Sequence, residues 1–173
     1  MLKIKLPSEI KKMRGLKTEN LLLASGHIYT ARDQAHKRLA EAIRRGKALP
    51  FDVRGQVIYY CGPTPNPKGK IVGSCGPTTS SRMDVFTPAL LKAGIIGMIG
   101  KGRRSTAVVE AIKKYKAVYF LAYAGCGALI SRYVKKKELI AYKELGPEAV
   151  YRLEVCDLPL IVGIDARGRS LYD

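Results

Sequence analysis

The stretch Lys70–Gly102, KIVGSCGPTTSSRMDVFTPALLKAGIIGMIGKG, decides the fold. It opens on a short apolar run, residues 70–74, which predicts a strand. Gly76-Pro77 then marks a turn, and four hydroxyl residues, Thr78 to Ser81, stand before Arg82 and Asp84. Residues from about 81 to 92 predict a helix, and Ile95 to Ile99 predict a further strand ending in Gly100-Lys101-Gly102. Strand, helix and strand in that order form a parallel crossover, which needs a sheet with helices packed on it.

The same alternation extends outward. Leu21 to Ser25 reads as a strand, and the residues up to Thr30 lead into a helix over about 31–45. Its Ala35, Leu39, Ala42 and Ile43 recur at helical spacing, and Gly46 and Pro50 close it. Gln56 to Cys61 predicts a strand ended by the surface loop GPTPNPKG. Further on come a helix over about 104–114, a buried strand over 117–123 and a helix opened by Gly125-Cys126-Gly127 and running to about Tyr133. Short strands follow at 138–142, 149–155 and 160–164, with a turn at 165–168. Residues 2–6 suit an edge strand. The expected fold is α/β with a mixed, partly parallel central sheet. Residues 1–173 read as a single domain, with the basic residues 1–18 as a peripheral N-terminal extension.

At 173 residues the chain is long enough to bury a real core, and 47% hydrophobic content excludes disorder. No run reaches the ~18 uninterrupted apolar residues of a membrane helix. The N-terminus has basic residues without the apolar core of a signal peptide, so the chain reads as cytoplasmic. The net charge of +17 attracts anions. Nucleic acid, an acidic partner subunit and a merely lysine-rich solvated surface all fit that number. No helix-turn-helix, zinc finger or aromatic stacking motif accompanies the charge, which weighs against nucleic acid. Cys61, Cys75, Cys126 and Cys156 are scattered without a C-x-x-C pair, so no self-contained metal or cluster site is expected.

Three junctions share one design, a strand followed by a glycine-rich turn and a helix: residues 75–82, 100–105 and 124–128. Helix N-termini leave N–H groups unpaired and attract anions, and in open α/β sheets such turns gather beyond the carboxyl ends of the strands. Arg82, Lys101 and Arg32 add cations, and Thr78 and Thr79 add hydroxyls. Each has a plainer account: Thr79 or Ser81 as a helix cap, Arg82 as the partner of Asp84 or another surface carboxylate, and the glycines as turn residues. Together they suit a small ligand with two carboxylates better than a polymer. His27 and His36 lack metal-ligand spacing and read as structural.

These motifs resemble the β subunit of class I fumarate hydratase and the related L(+)-tartrate dehydratase β subunit. The similarity rests on SGHIYTARDQAHKR, GQVIYYCGPTP, GPTTSSRMD followed by GMIGKG, and the closing ELGPEAVYRLEVCDLPLIVGIDARG. It spans roughly residues 20–170. The resemblance implies a swivelling β/β/α domain and the reversible addition of water to fumarate, giving L-malate. It implies an α subunit as partner, in a hetero-oligomer such as a dimer of heterodimers. That partner would hold a four-iron four-sulfur cluster acting as Lewis acid on the substrate oxygen. By the same resemblance Arg32, Thr79, Arg82 and Lys101 bind substrate, and Thr78 is catalytic, handling the C3 proton. Asp33 and His36 would support Arg32. Tartrate as substrate, and a basic nucleic-acid-binding or small-anion-binding module without catalysis, are the competing readings. Ser80-Ser81 and Cys126 stand where the family more often has smaller residues.

Overall fold

Continuous apolar runs in the central strands leave them buried on both faces, and that pattern shapes the molecule. The structure, a computed structural model, describes residues 1–172. Among them one sheet is built from β1 (Leu2–Leu6), β2 (Leu21–Thr30), β3 (Val57–Tyr59), β4 (Gly97–Gly100), β5 (Val118–Leu121), β6 (Val134–Ala141) and β7 (Val150–Ile164). The helices are α1 (Ile10–Arg14), α2 (Asp33–Arg44), α3 (Thr87–Ala93), α4 (Thr106–Tyr115) and α5 (Gly127–Ile130). The sheet is mixed, as the sequence predicts. Neighbours from β1 to β5 pair in parallel, whereas β7 runs antiparallel to β2, β5 and β6.

The pairing closes on itself. Tyr29 of β2 faces Ile58 of β3 along one edge and Arg152 of β7 along the other. Hydrogen bonding therefore runs from β2 through β3, β4, β5 and β7 back to β2, with β1 and β6 attached. A closed ring leaves its member strands few unpaired edges, which a small open sheet would have to protect. Val57 and Tyr59 point to one core, with Leu22, Ile28, Ile99, Val118, Phe120, Leu153 and Val162. Ile58 and Tyr60 point to the other, where Leu39 of α2, Leu91 of α3 and Ile112 of α4 cover the sheet.

Several elements differ from their sequence expectation. Residues 1–18, read as peripheral, put β1 alongside β2 and bury Met13 and Leu16 in the first core. Residues 70–74 form no strand. Their backbone pairs locally instead, Thr64 N–H donating to Ser74 O at 3.0 Å. The helix expected over 81–92 splits into a tight turn at Ser80–Met83 and α3, because Pro88 belongs at the start of a helix and not inside one. The strands expected at 149–155 and 160–164 are one, β7. Asp157 takes a left-handed backbone (φ 53°) and lets the strand continue through the irregularity opposite Ala24–Gly26.

Met13 is fully buried. Met13→Ala should cost about 2–5 kcal/mol of unfolding free energy, as for other large-to-small core changes, measured by urea denaturation. A peripheral segment would register almost nothing.

Candidate active site

The parallel strands β2, β3 and β4 all end at one rim of the sheet, and the chain places its cations there. Arg32 follows β2 as the residue preceding α2. Gly62 follows β3, and a Cβ on it would sit 3.0 Å from the Arg32 Cδ and 3.1 Å from Pro147 O, so the glycine leaves room for that side chain at the strand end. Lys101 follows β4. The hydroxyl loop crosses the same rim: Thr78 N–H donates to Tyr60 O at 2.7 Å, and Thr79 forms a parallel bridge with Lys101.

Asp33 ties the two arginines together. Arg82 Nε and Nη2 donate to its two oxygens at 2.9 and 2.5 Å, and Arg32 Nε reaches Oδ2 at 3.4 Å. Partial burial works against the Asp33 charge. The hydrogen bond from Arg82 and the charges of both arginines outweigh it and hold the carboxyl below its ordinary range. Glu148, brought in by the connection between β6 and β7, lies 3.3 Å from Arg32 Nε and accepts from Gln34 N–H at 3.1 Å. Lys101 makes no ion pair among the described residues. The rim thus gathers three cations against two carboxylates.

The hydroxyls do different work. Neither Thr78 nor Thr79 has a side-chain partner among the described residues, and Thr79 does not cap the following turn. Thr78 is half-buried and Thr79 exposed. Ser80, by contrast, is buried and structural, its Oγ accepting from Lys101 N–H at 2.9 Å. Tyr119 Oη donates to Gly102 O at 3.0 Å and reaches Ser80 Oγ at 2.9 Å. A Cβ on Gly100 would sit 2.0 Å from that Oγ, so the loop can approach β4 only over a glycine.

Beneath the rim lies a buried polar layer that the sequence did not single out. The Arg104 side chain is fully enclosed. Its Nε donates to Asp84 at 2.7 Å and its Nη2 to Thr87 Oγ1 at 2.8 Å, with Tyr60 and Tyr119 against its face. Arg82 therefore pairs with Asp33, and Asp84 is left to Arg104. A hint was present in the sequence, where Asp84 and Arg104 flank α3 and β4, but only the fold makes them neighbours. The third junction, at 124–128, adjoins the site through backbone: Cys75 N–H donates to Gly127 O at 3.1 Å, and Gly76 packs on Gly127. The rim is open, Arg82 being 48% exposed, and a groove of about 580 Å³ lies elsewhere, between residues 69–72 and 128–135.

Such a rim can bind a small dianion, with arginines held by a shared carboxylate and two hydroxyls free to meet the ligand. The family model described as Fumarase C-terminus matches residues 1–173. A Methanocaldococcus jannaschii protein, provisionally named an L(+)-tartrate dehydratase subunit beta, is 37% identical over 169 residues, covering 94% of this chain and 87% of that protein. The L(+)-tartrate dehydratase subunit beta of Shigella sonnei is 32% identical, covering 95% of this chain and 83% of its own. The aerobic class I fumarate hydratase of Salmonella typhimurium is 37% identical over 153 residues, 87% of this chain but 26% of the hydratase. The chain thus spans most of the first two relatives and about a quarter of the third.

His36 anchors α2 under the site, its Nδ1–H donating to Arg32 O at 3.1 Å. Burial pushes its pKa down from 6.5 to about 4, helped by the Arg104 charge and opposed by that hydrogen bond. With the folded value below the unfolded one, the unfolded chain takes up the proton first. Neutral His36 therefore contributes its full stability above about pH 6.5 and loses it as the pH falls towards 4, up to about 3 kcal/mol. Urea denaturation at a series of pH values should show that slope, and His36→Asn should flatten it.

Proposed function

This chain belongs to the Fumarase C-terminus family, and on that premise we propose that it is the β-type subunit of a hydro-lyase that reversibly hydrates fumarate to L-malate. The observation that carries the reading is the rim itself: Arg32 and Arg82 fastened to Asp33, beside Thr78, Thr79 and Lys101, at the carboxyl ends of parallel strands. Charge-assisted bonds from Arg32, Arg82 and Lys101 hold the two substrate carboxylates. Removing a proton next to a carboxylate moves negative charge onto that carboxylate, and fixed cations stabilise the charge as it develops. The Thr78 hydroxyl stands at C3. Alone it is far too weak a base, so it works with a carboxylate from a companion chain.

The four-iron four-sulfur cluster implied by the family resemblance does not fit this chain's own residues. Cys61 and Cys75 face each other in the core with sulfurs 3.3 Å apart, and Cys156 is exposed on β7. Among the described residues no three His, Cys, Asp or Glu side chains group as metal ligands. The proposal therefore assigns the cluster to an α-type companion. L(+)-tartrate is the second substrate reading, favoured by the subunit-length match to the two β chains above.

Anaerobic reconstitution with the cluster-bearing chain from the same genome tests both, following fumarate absorbance and oxaloacetate release from tartrate. Turnover of neither substrate by the reconstituted pair would sink the reading. In the active pair, Arg82→Ala or Lys101→Ala should raise KM roughly tenfold or more, the cost of one charged hydrogen bond. Thr78→Ala should lower kcat by about 10²–10⁴ with the fold intact. Wild-type turnover in that variant removes Thr78 from the chemistry.

A further inference from the structure

The groove between residues 69–72 and 128–135 lies outside the candidate site but is built on two of its loops. Residues 69–72 run directly into the segment that carries Thr78, and residues 128–135 follow the Gly127 turn packed on Gly76. Two exposed aliphatic side chains, Ile71 (40%) and Leu129 (49%), stand on its walls above buried Val72 and Val134. Lys70, Arg132 and Lys135 rim it, and no carboxylate lines it. None of the three cations joins an ion pair among the described residues, and the Lys135 ammonium donates only to the Arg132 carbonyl, at 2.8 Å.

Uncompensated like charges around an aliphatic floor are complementary to a partner that brings both countercharge and an apolar anchor. Nucleic acid supplies the countercharge, but its bases look for aromatic faces, which this lining lacks. We propose that the groove seats a segment of the companion chain in which carboxylates flank an aliphatic side chain. This rests on the hydro-lyase reading, because that reading supplies the companion. It also explains how a chain reaching Thr78 could be gripped beside the site: the groove and the hydroxyl loop share one continuous stretch, residues 69–82. The exposed Ile71 and Leu129 are the anchors' counterparts, and the three cations set orientation and association rate.

The test titrates the full chain with the anaerobically prepared cluster-bearing chain by calorimetry and maps amide exchange on the complex. Wild type should bind, with residues 69–72 and 128–135 protected. The triple change Lys70→Glu, Arg132→Glu and Lys135→Glu should weaken binding roughly tenfold or more at an unchanged melting temperature. The pair Ile71→Ser and Leu129→Ser, which leaves charge untouched, should also weaken it, and it decides the matter if the triple variant melts early. Undiminished binding by the variants, or no protection of the groove in a pair that turns over substrate, overturns the groove and leaves the hydro-lyase reading standing. A wild-type chain that neither binds the companion nor supports turnover overturns both. Salt-sensitive binding of a mixed-sequence oligonucleotide that the triple change abolishes would also overturn the proposed occupant.

Discussion

The pairing of β2 with β7 holds this structure together. Register matches run from Leu21–Ile161 to Thr30–Tyr151, so the two longest strands are zipped along almost all of β2. Without that ladder β2 to β5 would be a short parallel sheet with one open edge. With it the sheet becomes a ring, with α2, α3 and α4 packed on one face and Met13 of α1 and Ile130 of α5 joining the core on the other. The ring also sets the chemistry. It fixes where β2, β3 and β4 end, and hence brings Arg32, Gly62 and Lys101 to the same rim.

Electrostatics refine what topology provides. Two arginines side by side repel, and an exposed arginine samples many rotamers. Asp33 answers both problems with one carboxylate, and Glu148 holds Arg32 from its other side. Because both anions engage Arg32 through Nε and Arg82 gives up only Nε and Nη2, guanidinium edges remain for a ligand. The enclosed Arg104 layer plays a separate part, locking α3 to the start of α4 so that the hydroxyl loop has a firm floor.

Much of this was legible in the sequence, and the exceptions have physical causes. The strand–helix alternation and the strand-end glycines are local signals, and they located the parallel strands and the turns after them. The residues 70–74 looked like a strand because apolar runs do, yet Val72 alone is buried and the segment hydrogen bonds to its own loop. β7 looked like two strands because Asp157 and Pro159 normally interrupt pairing. There the partner β2 carries a matching irregularity, which no single stretch reveals. Glu148 and Arg104 went unnoticed for a similar reason: their partners lie far along the chain, and a charge on its own reads as solvated surface. The tie between Arg82 and Asp33 spans 49 positions and was equally invisible, although both residues had been singled out.

The long ladder between β2 and β7 has a consequence for biogenesis. Its two sides are separated by more than a hundred positions, so closing it must overcome a large loop entropy, and such topologies fold slowly. On the ribosome, β2 to β5 emerge well before their closing strand. For that interval β2 and β5 each present an unsatisfied backbone edge, the kind that recruits a neighbouring nascent chain. Completion of the barrel therefore waits on the emergence of β7.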